Sequence, residues 1–135
     1  MVFFFAVMVE TSRMMLAYDS AIAGVRDATR YLARTLPQNV CTNAVTITNY
    51  SAQMLTIVRQ GTQGSTVFPS SVTINSATPS YTCVSGSWRG GSAPIAQVTA
   101  TVTITFPFAG LFTLVGVSRP TLTTTVTDKS RVFGS

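Results

Sequence analysis

The chain has 135 residues, enough for one domain, with 46% hydrophobic residues and only 10% charged ones. There is no His, there are four carboxylates and nine Lys/Arg, and the net charge is +5. These numbers exclude Ser-His-Asp and Cys-His catalysis and leave no pair of acids placed for proton transfer.

Met1–Leu36 is the element around which the rest is arranged. Val2–Val9 is wholly apolar, then Glu10 introduces charge. The apolar block is shorter than the roughly 20 residues that cross a bilayer, and it lacks the basic start and cleavage site of a signal peptide. It reads as part of a membrane helix or as a buried core helix. Met14, Tyr18, Ala21, Val25, Ala28 and Leu32 alternate steps of four and three, which predicts one seam along a helix. Two partners suit that seam: the chain's own β portion, or the same helix of a neighbour. Arg26, Arg30 and Arg34 form a basic stripe on another face. Ala17, Ala21, Ala23, Gly24 and Ala28 permit close approach of a second helix. Pro37 and the following Gln38–Asn39 end the helix.

After Pro37 the pattern is strand-like. Ala44–Tyr50, Gln53–Arg59, Ser71–Ser76, Tyr81–Ser85, Ala96–Phe106 and Thr121–Asp128 read as strands. In Ala96–Phe106 and Thr121–Asp128, apolar residues alternate with threonines, as in a sheet with one buried face. The predicted fold class is α+β: a long N-terminal helix (1–36) on a small antiparallel sheet of four to six strands (37–135). Cys41 and Cys83 are the only cysteines. In a Thr-rich β region they fit one disulfide and an oxidising compartment, the alternative being two buried thiols. With no His and no C-x-x-C, a conventional zinc site cannot be built, and no cofactor or metal is expected.

Pro107–Val117 is an uncharged apolar run, read as core or as a contact with membrane or neighbour. Ser85–Pro94 carries Trp88 beside Arg89, which reads as a contact loop or as a cover over the Cys41–Cys83 region. The basic balance suits nucleic acid or anionic lipid only if the charges gather on one face; with no dense Lys/Arg block, plain solubilising charge is the simpler reading.

The stretch FFFAVMVETSRMMLAYDSAIAGVRDATRYLAR resembles the N-terminal helix of the TadE-like proteins, minor pilins or pseudopilins of the tight-adherence type IV pilus. The matching positions are Glu10, Arg13, Tyr18, Asp19, Ala28, Arg30 and Tyr31. The closing stretch VTATVTITFPFAGLFTLVGVSRPTLTTTVTDKSR resembles the family's final strands more weakly, and the middle of the chain carries no resemblance. The likeness implies a structural, non-enzymatic subunit located in the bacterial inner membrane and periplasm before assembly, and at the pilus or cell surface afterwards. Its partners would be other pilin subunits and Tad assembly proteins, with no small-molecule substrate and no nucleic acid. Glu10, Arg13, Met14, Tyr18, Ala21, Val25, Ala28 and Leu32 would serve helix packing and assembly. Glu10 would pair with Arg13 on its own helix, or with a cation of a neighbouring subunit. Family members have a basic leader, a processing site and an earlier Glu ahead of the apolar run. Their absence here leads to the expectation that about 10–25 residues precede the chain as given. The competing expectation is a tethered or secreted β module that binds a surface, glycan or DNA for adhesion through Trp88 and Arg89.

Overall fold

The computed structural model describes residues 2–60, 68–86, 91–106, 116 and 121–134, with side chains from residue 4 onward. Two helices and a 3-10 turn lie on one face of a three-stranded sheet. Helix α1 spans Val2–Thr35. A 3-10 turn at Ile47–Tyr50 runs directly into α2, Ser51–Gln60. Strands β1 (Val72–Val84), β2 (Ala93–Thr105) and β3 (Thr121–Arg131) pair antiparallel in the order β1-β2-β3.

The α+β class and the long N-terminal helix agree with the sequence reading; the strand count does not. Ala44–Tyr50 and Gln53–Arg59, predicted as strands, form the 3-10 turn and α2. Their β-branched residues suggested extended chain, but the buried pair Met54 and Val58 is four apart, one turn of helix. Gly24 of α1 explains why a helix is accepted there. A Cβ at that glycine would stand 2.8 Å from the Val58 carbonyl oxygen, so the two backbones meet in near contact. Tertiary packing overrides a weak β preference.

Ser71–Ser76 and Tyr81–Ser85, predicted as two strands, belong to one long β1. Pro79, which lies between them, is tolerated at a sheet edge, where no ladder hydrogen bond is required of its nitrogen. The register slips between Ile74 and Ser76, a bulge that bends β1.

The central strand β2 alternates strictly. Pro94, Ala96, Val98, Ala100, Val102 and Ile104 face the helices and are buried. On the opposite face Thr99, Thr101, Thr103 and Thr105 stand beside Thr127, Thr125, Thr123 and Thr121 of β3. Thr99 and Thr127 share a hydrogen bond of 3.0 Å, Thr103 and Thr123 one of 3.2 Å, and Asn75 Nδ2 donates to Thr103 at 2.7 Å. This threonine face accounts for the low charge: hydroxyls, not ions, carry the solvation.

One core joins the layers. Ala17, Ala21, Val25, Ala28, Leu32 and Leu36 of α1 and the adjoining turn meet Met54, Val58 and the inner residues of the sheet. At about 25 cal/mol per Å², each buried Val or Leu contributes roughly 1.5–3 kcal/mol before entropy is subtracted. The C-terminus is fastened to the end of α1. Phe133 N–H donates to the Ala33 carbonyl at 2.9 Å, and Gln38 Nε2 donates to the Phe133 carbonyl at 2.7 Å. Gly134 has φ +23 and lies against the Leu36 carbonyl, where a Cβ would collide.

Candidate functional site

Helix α1 has two faces and two halves, and the described chain covers only part of that surface. The seam predicted from the spacing is occupied by the chain itself. Ala21, Val25, Ala28 and Leu32 are fully buried under the sheet and α2. Met14 is half-buried against the same core, and Ala17 extends it. Tyr18 departs from the seam and is exposed. Of the two partners open to the seam, the own β portion takes its C-terminal half.

Glu10 continues the seam toward the N-terminus, one turn before Met14, and is only 6% exposed. Arg13 is exposed, and no ion pair forms between it and Glu10 or anywhere else among the described residues. The Glu10 side chain is largely covered, yet among the described residues no side-chain oxygen is left buried without a hydrogen-bond partner; Glu10 sets a negative charge at the edge of the apolar block of α1.

The other face of the N-terminal half is apolar and uncovered. Phe5 and Met8 are each 70% exposed, Met15 69% and Leu16 68%. Thr11, Ser12 and Ser20 interrupt this surface, but each hydroxyl turns back onto its own helix. Thr11 donates to the Val7 carbonyl at 2.8 Å, Ser12 to Met8 at 3.0 Å and Ser20 to Leu16 at 2.9 Å. Hydroxyls satisfied in this way need no water, so the surface is fit to be covered by apolar groups. Farther along, Arg26, Arg30 and Arg34 are exposed as a basic stripe. No described helix is long and apolar enough to cross a membrane.

At the opposite end of the molecule, Cys41 and Cys83 form a disulfide with Cα atoms 5.8 Å apart. It ties the turn after α1 to the end of β1. Trp88 and Arg89, the candidate contact loop, and most of Pro107–Val117 lie outside the described residues. Cavities open among the described residues around Ala93. One, about 380 Å³, is lined by Gln38, Ser92, Pro94, Arg131 and Phe133. The other, about 360 Å³, is lined by Val84, Ile95, Lys129 and Arg131. Among the described residues no group of three His, Cys, Asp or Glu is arranged to hold a metal.

Three polar contacts that position these surfaces have no signature in the sequence. Gln53 Nε2 donates to the Tyr31 hydroxyl at 2.7 Å, joining α2 to α1. Arg59 donates through Nη2 to the Ile74 carbonyl at 2.8 Å, and more weakly through Nε at 3.3 Å. Gln38 holds the C-terminus. Each pairs residues from different elements, and only the Gln-plus-Arg composition of α2 hinted at polar reach. Comparison with protein-family models, curated proteins and solved structures returns no match.

Proposed function

We propose that the chain is a structural subunit of the TadE-like kind, a minor pilin or pseudopilin of a tight-adherence type IV pilus. Its α1 would pack beside other subunits, with the membrane holding it before assembly and the threonine-faced head on the periplasmic or outer side. The observation that carries the reading is the division of α1. Its C-terminal half is consumed by the chain's own core, whereas its N-terminal half offers Phe5, Met8, Met15 and Leu16 to a partner. Contiguous exposed apolar surface of this kind marks association with protein or lipid.

Glu10 fits a role in assembly register, because it sets a negative charge at the edge of the apolar block, where a neighbour's cation would pair with it. The test is piliation in a host carrying the assembly system. Glu10→Ala should lower the amount of subunit in sheared filaments while the head keeps its melting transition. Wild-type levels of incorporation would reject the register role. A wild-type chain that never co-purifies with filaments or assembly proteins, and stays monomeric without detergent, would overturn the whole reading.

A further inference from the structure

The two edges of the sheet are treated differently. At β1 the outward-facing backbone is interrupted from Ile74 to Pro79. The Thr105 N–H donates to the Ser71 carbonyl at 2.8 Å, which sets the parity: up to the bulge, odd residues of β1 face β2 and even ones face outward. The outward Ile74 carbonyl is taken by Arg59. Beyond the bulge the parity reverses, and Pro79, opposite Val98, faces outward without an N–H to offer. A bulge, a capping Arg and an edge proline are devices that prevent strand addition.

β3 has none of them. Its register with β2 runs without a shift from Ile95–Arg131 to Thr105–Thr121, and it contains no proline. The Val132 N–H donates to the Pro94 carbonyl at 2.9 Å. By the two-residue period, even residues of β3 direct their backbone into β2, and Thr121, Thr123, Thr125 and Thr127 direct theirs to the open edge. No hydrogen bond from another described element reaches those groups. Beside them Leu122 is 53% exposed on the helix-bearing side.

The segment Thr121–Thr127, TLTTTVT, reads as hydroxyl and apolar positions in the same order from either end. We propose that β3 of one molecule pairs antiparallel with β3 of a second copy about a two-fold axis through Thr124. Thr123 then exchanges hydrogen bonds with the partner's Thr125, and Thr121 with the partner's Thr127, all through edge-facing groups. Leu122 meets the partner's Val126 on the inner side, while threonines meet threonines on the outer side. The charged Asp128, Lys129 and Arg131 fall outside the paired region. The contact is isologous and closed, giving a continuous six-stranded sheet. A two-fold normal to the sheet reverses every direction within the layer, so the two α1 helices run opposite ways. This contact therefore joins heads, and it does not depend on the pilin reading, which concerns parallel helices.

The chain has no free cysteine, so an added thiol reports cleanly. Thr124→Cys places two thiols across the axis at the separation of a non-hydrogen-bonded pair, about 4.5 Å between Cα atoms, within reach of a disulfide. Thr127→Cys places them some six residues out of register. In the full chain, held in mild detergent and gently oxidised, Thr124→Cys should form covalent dimer and Thr127→Cys should not. Thr125→Pro removes an edge-facing donor and spares the β2 ladder. Added to Thr124→Cys, it loses two hydrogen bonds per dimer and should cut crosslinking roughly tenfold or more, with the melting transition retained. Equal crosslinking at positions 124 and 127, or none at 124, overturns the pairing whether or not the proline variant folds.

Discussion

At Gly24, two opposing effects meet in one residue. Replacing glycine by alanine inside a helix gains about 1 kcal/mol of helix propensity. Here the added Cβ would stand 2.8 Å from the Val58 carbonyl oxygen, which belongs to backbone and cannot swing aside. Overpacking costs about 1–3 kcal/mol, so Gly24→Ala should be neutral to destabilising. Gly24→Val, with more bulk and lower propensity, should lose about 2 kcal/mol or more in urea unfolding. Arg59 is the second such residue. Arg59→Met keeps part of the stem but leaves the Ile74 carbonyl unserved, at a cost of about 1–3 kcal/mol. Arg59→Lys should recover only part of it, because one ammonium does not reproduce the paired donation from Nε and Nη2. A lysine variant as stable as wild type would show that a single donor suffices.

At the scale of elements, the head is assembled from segments distant in sequence and held by a covalent tie. The Cys41–Cys83 bridge has a sequence separation of 42. The loop-closure relation puts its stabilisation at about 4 kcal/mol. Reduction, or a double substitution to alanine, should lower the guanidinium midpoint by a corresponding amount. An unchanged midpoint would mean that native-state strain or residual structure in the unfolded chain offsets the loop-closure gain. The C-terminal fastening is a smaller version of the same device. Removing residues 132–135 deletes Val132, which is 4% exposed, and the bonds to Ala33 and Gln38. The expected loss is about 2–4 kcal/mol from burial and hydrogen bonding together. Amide exchange should then quicken in the last turn of α1 before it quickens in β2.

For the whole molecule, burial and exposure are separated along α1. The half that carries Ala21, Val25, Ala28 and Leu32 is finished by the chain's own sheet; the half that carries Phe5, Met8, Met15 and Leu16 is not. Substituting Phe5 and Met8 together by serine should therefore leave the melting transition of the head within about 0.5 kcal/mol of wild type. The same substitution should sharply reduce partition into detergent or membrane fractions. Unaltered partition would show that apolar surface elsewhere drives association.

The sequence alone carried the long N-terminal helix, the periodic seam, the half-buried strands β2 and β3, and the cysteine pair. All of these rest on local periodicity or on residue type, and local pattern survives without knowledge of neighbours. It misassigned Gln53–Arg59, because β-branched residues at that density favour strand until a glycine on another helix makes room for helix packing. It read β1 as two strands, and only the folded sheet shows Pro79 at an edge, where a strand tolerates a proline. The partner of the seam, the burial of Glu10, the Arg59 cap on the bulge and the open edge of β3 were decided by tertiary structure. Each is a relation between surfaces far apart in the chain, fixed by which faces the core consumes and which it leaves uncovered.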